Sequence, residues 1–264
     1  MENRIDQCFA ALRARNETAF IAYIGAGDPN LERTIDLALA LEKAGTDILE
    51  LGLPFSDPLA DGIVNQLAAQ RALEAGTTVQ GVLDCIRQIR RVSQMPIVLY
   101  SYMNPIFQFG FERFHREASD AGVDGLLILD LPPEEDLAAQ SESLLHIRLI
   151  APTTPTERIE AICAKATGFI YYVSREGVTG AQASVASSLG ERVAQIRCFT
   201  KLPIAVGFGI SNAEQAREVA RSADAIVVGS AIVQRIFEER AAADMPERIG
   251  AFVKALVNAT KGSA

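Results

Sequence analysis

Eight short apolar runs alternate with helix-like segments along the 264 residues, and this alternation limits the possible folds more than any other feature. The runs are "TAFIAYIG" (18–25), "TDILELG" (46–52), "MPIVLYSY" (95–102), "DGLLILDLP" (124–132), "HIRLIAP" (146–152), "GFIYYVS" (168–174), "KLPIAVGFG" (201–209) and "DAIVVGSAI" (224–232). Residues 30–45 read as a helix, with Asn30 suited to cap it and Gly45 to stop it. Further helices are expected around 65–75, from about 77–91 with Val79, Val82, Leu83, Ile86 and Ile89 on its buried face, and near 111–121, 134–144 and 156–166. Ile249, Phe252, Val253 and Leu256 mark a final helix, and Ile5, Cys8, Phe9 and Leu12 an N-terminal one that can lid one end of a core.

Apolar strands that alternate with helices are parallel and buried on both faces, because the crossover helices cover the outside. Closing eight of them gives a (β/α)8 TIM barrel, an α/β fold that needs about 250 residues. A doubly wound open sheet is the alternative. No linker rich in proline, glycine or serine interrupts the series, so residues 1–264 are expected to form a single domain.

A net charge of -8 repels a phosphate backbone, which argues against nucleic acid as a partner. No apolar run is long enough to span a membrane, and the charged N-terminus is unlike a signal peptide, so a cytoplasmic location is expected. Cys8, Cys85, Cys163 and Cys198 are widely spaced and fit reduced thiols. His115 and His146 are the only histidines; far apart in sequence, they read as surface or packing residues and not as metal ligands.

In such a barrel the loops after the strands form the working face, and glycines on the last of them commonly hold a phosphate. "SREGVTG" (174–180), "GFGIS" (207–211) and "VGSAI" (228–232) follow that pattern. Gly209, Gly229 and Ser230 would bring bare backbone N–H groups together at helices that begin near Asn212 and Ser230. Each glycine alone could equally be a turn residue.

Among the acids, Asp28 reads as a cap for the helix near Asn30, and Asp130 as an acceptor for loop backbone. Glu50 is different. Ile48, Glu50 and Gly52 share one face of the second strand, and Leu49 and Leu51 naturally pack against helices, which turns Glu50 inward. An unpaired inward carboxyl raises its pKa and suits proton transfer, whereas an inward arginine, for which Arg148 is the candidate, would make it a fixed ion pair.

"LELGLPFSDPLADG" (49–62), together with "AGDP", "YMNPI", "YYVSREGVTG", "GFGIS" and "VGSAIV", resembles the signature loops of the tryptophan synthase alpha subunit family along the length of the chain. The resemblance implies a lyase of tryptophan biosynthesis that cleaves indole-3-glycerol phosphate into indole and glyceraldehyde 3-phosphate. It implies Glu50 and Asp61 as the catalytic acids, and an indole slot lined by Tyr23, Tyr102, Leu127, Leu129, Tyr171 and Phe208. It places phosphate on Gly180, Gly209, Gly229 and Ser230, and a lid at Gly177 and Thr179 that closes onto Asp61. It also implies no cofactor in this chain, a beta subunit holding pyridoxal phosphate (PLP) in an alpha2-beta2 heterotetramer, and an interface at Pro54, Asp57, Pro58 and the Asn104-Pro105 loop. Ile63 stands where the family usually has proline. Another phosphosugar-binding barrel enzyme, or a non-catalytic activating subunit, are the alternatives.

Overall fold

A computed structural model describes residues 3–135, 144–174, 182–207 and 209–262. Its elements run α1 (Arg4–Ala14), β1 (Ala19–Gly25), α2 (Leu31–Ala44), β2 (Ile48–Gly52), α3 (Ile63–Glu74), α4 (Val79–Arg90), β3 (Ile97–Ser101), α5 (Met103–Phe109), α6 (Phe111–Ala121) and β4 (Gly125–Ile128). There follow β5 (Leu145–Ile150), α7 (Thr156–Lys165), β6 (Ile170–Val173), α8 (Gln182–Arg197), β7 (Ile204–Gly207), α9 (Ala213–Ala220), β8 (Ala225–Val228), α10 (Ser230–Glu239) and α11 (Met245–Lys261). The strands pair in parallel in chain order, and β1 bonds to both β2 and β8, so the sheet closes into the expected (β/α)8 barrel and is not an open sheet.

Strand periodicity sorts the core into two shells. Ile21, Ile48, Val98, Leu127, Ile147, Ala205 and Val227 meet inside the barrel, while Ala22, Leu49, Leu99, Leu126 and Val206 pack outward against the helices. Ile5, Phe9 and Leu12 of α1 join the inner shell from below, and the Phe9 ring lies 5.7 Å from that of Phe169. The N-terminal helix is thus the expected lid, on the end of the barrel away from the strand-following loops. Asn3 caps it, accepting from the Ile5 N–H.

One hydrogen bond recurs around the lower rim. The first or second residue of each odd strand donates its N–H to a side chain standing one to three residues before the next even strand: Phe20 to Asp47 at 2.8 Å, Ile97 to Asp124 at 2.8 Å, His146 to Thr167 at 2.6 Å and Ile204 to Asp224 at 2.8 Å. The three aspartates also hold cations. Asp47 meets Lys261, Asp124 meets Arg4 and Arg90, and Asp224 meets Arg197.

The elements differ from the sequence reading in a few places. β4, β7 and β8 end two to four residues before the expected 132, 209 and 232, and α3 begins at Ile63 instead of near 65. Asn104 and Pro105 lie on the short helix α5, not in a loop; proline is tolerated in a first turn because N–H groups there lack an intrahelical acceptor. Helix α8 follows β6 where no helix was anticipated, and buries Leu189, Val193 and Ile196. The helix expected over 134–144 falls mostly outside the described residues.

Candidate active site

Glu50 is the middle residue of β2, in register with Tyr23 on β1 and Val98 on β3. Its side chain points into the barrel and is 1% exposed. Among the described residues neither carboxyl oxygen has a hydrogen-bond partner. Burial, and then the charge of Asp61, push its pKa from the ordinary carboxyl range up to about 8. Arg148 does not neutralise it. Ile147 and Leu149 are the residues of β5 that face inward, so Arg148 between them leaves the barrel and lines an outer pocket with Arg158 and Ile162 of α7.

Asp61 reaches the same place from the loop after β2. Pro54, Phe55 and Pro58 fold that loop over the mouth, the Phe55 ring resting 5.4 Å from Tyr102. Tyr100 donates to one Asp61 oxygen at 2.8 Å and Tyr102 to the other at 2.9 Å, with a further hydrogen bond from Asn65. Burial raises the Asp61 pKa and these three donors oppose the rise. Tyr102 also accepts the Ala60 N–H at 2.9 Å, which fixes the loop backbone beside the acid. Tyr100 was not among the expected site residues. The parity of "IVLYSY" carries the signal, since Val98 is inward and Tyr100 must therefore be inward as well.

Tyr23 and Tyr171 complete the polar wall, and burial keeps both phenols, like that of Tyr100, protonated far above their usual range. The Tyr23 and Tyr100 rings meet edge to face at 5.1 Å. Leu127 is part of the inner shell and Leu129 packs against it. The structure therefore brings Tyr23, Glu50, Asp61, Tyr102, Leu127, Leu129 and Tyr171 to one end of the barrel. Phe208, Gly177, Thr179 and Gly180 lie outside the described residues.

Gly209 has φ +53°, a left-handed backbone that favours glycine. The two helices expected to aim at a phosphate differ. Asn212 caps α9 with its own side chain, accepting from Gln215 N–H at 3.0 Å, whereas α10 starts at Gly229 with no side-chain cap. The first N–H groups of α10, at Ser230 and beyond, are thus the better anion donors. A β-carbon on Gly229 would stand 3.3 Å from the Tyr23 ring, so this helix start adjoins the slot.

Other expectations are revised. Asp28 does not cap α2, because Asn30 does so by accepting from Arg33 N–H; Asp28 instead takes two hydrogen bonds from Arg71, at 2.9 and 2.7 Å. Arg71 in turn stacks on Phe237, joining α3 to α10. Asp130 accepts the Met103 N–H at 2.7 Å, the loop-holding role expected of it. His115 and His146 are buried, so of the two roles expected of them packing is the one they have, and their rings, far apart in sequence, stack with centres 5.9 Å apart. Asp57 is exposed with its carboxylate on the Ser56 hydroxyl, and Pro54 and Pro58 are half-buried beside it. The four cysteines are unpaired. Among the described residues there is no cluster able to hold a metal ion and no helix long and apolar enough to cross a membrane.

An inward acid with a raised pKa, a second acid held by phenols and an uncapped helix start describe a site for proton transfer on an anionic substrate. The sequence profile of the tryptophan synthase alpha chain family matches residues 9–261. The chain belongs to that family. The tryptophan synthase alpha chain of Opitutus terrae is 53% identical over 258 residues, 96% of each chain, and that of Citrifermentans bemidjiense 49% identical over the same shares. The crystal structure of tryptophan synthase subunit alpha from Legionella pneumophila str. Paris superposes with a TM-score of 0.91 at 39% identity, covering 99% of this chain and 100% of that one. Membership of the tryptophan synthase alpha chain family makes this protein a lyase of tryptophan biosynthesis.

Proposed function

We propose that Glu50 and Asp61 carry out the reaction of this family, the cleavage of indole-3-glycerol phosphate to indole and glyceraldehyde 3-phosphate. The observation that supports this best is the buried Glu50 carboxyl without a partner, which its raised pKa keeps protonated at neutral pH. The neutral acid donates its proton to ring carbon three, leaving positive charge at the ring N–H. Asp61, ionised and fixed, stabilises that charge as it grows, an interaction stronger in the transition state than in the bound substrate. The Glu50 carboxylate then takes the proton of the neighbouring glycerol hydroxyl. That C–O bond becomes a carbonyl as the bond between ring and glycerol breaks, the electron pair returns to the ring, and Glu50 is protonated again.

Tyr23, Tyr102, Leu127, Leu129, Tyr171 and Phe208 are assigned to the indole slot, and Gly180, Gly209, Gly229 and Ser230 to the phosphate. Gly177 and Thr179 are assigned to a lid that excludes water. We further propose one domain over residues 1–264 in the cytoplasm, acting with a tryptophan synthase beta subunit in an alpha2-beta2 heterotetramer. Pro54, Asp57, Pro58, Asn104 and Pro105 would face that partner, and the PLP would belong to it and not to this chain. Incubating the purified chain with indole-3-glycerol phosphate, alone and with the beta subunit, tests the reading. Indole release that disappears in Glu50→Gln is expected; no indole under either condition would overturn it.

A further inference from the structure

Asp61 is held by a clamp that the reaction alone does not require. The Tyr100 hydroxyl lies on one oxygen and that of Tyr102 on the other, so the carboxylate cannot rotate without losing both bonds. The two phenols differ in their support. Tyr102, just past the end of β3, is tied to the Asp61 loop through the Ala60 N–H. Tyr100 is anchored in the barrel wall itself, in register between Gly52 on β2 and Leu127 on β4. Its ring is propped edge-on by Tyr23, at 5.1 Å and 71°. Gly52 leaves this part of the wall open, since a side chain there would collide with the Tyr23 hydroxyl.

We infer that Tyr100 is a positioning residue for the cleavage, fixing the Asp61 carboxylate to the rigid wall so that the indole N–H meets an anion already in place. The inference rests on the assignment of Asp61 made above. A carboxylate carried only by its loop would have to order itself as the ring is protonated, whereas one bonded to β3 is oriented before substrate arrives. Among the described residues, the groups facing Asp61 are Tyr23 from β1, Glu50 from β2, Tyr100 from β3, Tyr102 at the start of α5, Asn65 from α3 and Tyr171 from β6. None of these is a cation, so hydrogen bonds are what favour the ionised form against burial.

The test is the pH profile of indole release by the full chain with its beta subunit, for the wild type, Tyr100→Phe, Tyr100→Leu and Asp61→Asn. Removing the hydroxyl weakens the preference for the ionised acid, so both Tyr100 variants should move the acidic limb of kcat/KM up by about one pH unit. The alkaline limb, set by Glu50, stays where it was. A 13C NMR titration of the Asp61 carboxyl, independent of turnover, should show the same displacement. Tyr100 profiles that overlay the wild type, or that fall equally at every pH, would overturn the inference while an inactive Asp61→Asn leaves the catalytic assignment intact. Full activity in Asp61→Asn would instead remove the assignment on which the inference rests.

Discussion

The Tyr23 hydroxyl occupies the space that a β-carbon on Gly52 would need. Tyr171 and Gly207 repeat the arrangement on β6 and β7, where a β-carbon would fall 2.8 Å from the phenol oxygen. Each tyrosine lies across the bare backbone of the next strand, and that is how large polar side chains fit inside a narrow barrel. Gly52→Ala should displace Tyr23, costing about 1–3 kcal/mol of stability as an overpacked core does. Denaturant unfolding alongside indole assays checks this; a variant as stable as the wild type would show that the wall yields freely.

Glu50→Gln should lower kcat by about two to four orders of magnitude, the usual contribution of a positioned proton-transfer group. Its pH profile should also lose the limb near 8 that the Glu50 carboxyl sets. Steady-state turnover over pH 5–9 makes the measurement, and half of wild-type turnover in the variant would contradict the assignment.

The same substitution should change how stability depends on pH. The folded Glu50 pKa is raised from 4.5 to about 8, so its contribution is fully present below 4.5 and is lost as pH rises to about 8. Relative to the wild type, Glu50→Gln should therefore gain stability across that window, by at most about 1.4 kcal/mol per pH unit. Urea melts of both proteins at pH 5 and pH 8 give the difference, and a constant gap would rule out the coupling.

Gly209→Val should weaken binding of glycerol phosphate and leave indole binding largely intact. Among the described residues a β-carbon at 209 meets nothing within 4 Å, so the effect comes from the backbone and not from a clash with them. Holding an L-residue at φ +53° costs about 1–2 kcal/mol, and relaxing it turns the N–H away. Calorimetry with each ligand separates the two affinities, and an equal loss for both would place the phosphate elsewhere.

Asp57→Ala should leave slow basal indole formation unchanged and reduce the stimulation given by the beta subunit. Asp57 is exposed and contributes only a local bond to Ser56, while its loop ends at Asp61. A coupling of about 1–3 kcal/mol is ordinary between linked sites. Titrating the beta subunit against indole release measures it, and full activation of the variant would move the contact toward Asn104 and Pro105 on α5.

Local pattern was enough to read the barrel, which follows from eight apolar strands alternating with helices, and the inward turn of Glu50, which follows from strand parity. Strand ends were overestimated at β4, β7 and β8, where apolar residues continue into the loops around the mouth. α5 was hidden by Pro105, which looks like a breaker but sits in a first turn. Among its described side chains α8 buries Leu189, Val193 and Ile196, with Gly190 among them, a sparse apolar pattern for a helix. Asp28 illustrates a different limit. Its partner Arg71 lies 43 residues away, so a cap and an ion pair look alike until the chain is folded. The stacking of His115 on His146 is equally non-local.

The recurring bond of the lower rim divides the barrel into quarters, each welded from an odd strand and the even strand after it. Three welds carry an aspartate locked to a cation; the fourth, between β5 and β6, is the neutral hydroxyl of Thr167. The quarters thus differ in the charge of their welds, and the β5–β6 quarter is the one joined through a neutral group, at 2.6 Å. That quarter also carries Tyr171 of the active-site wall, so this strand pair joins at its lower rim without a formal charge and presents its polar group at the mouth instead.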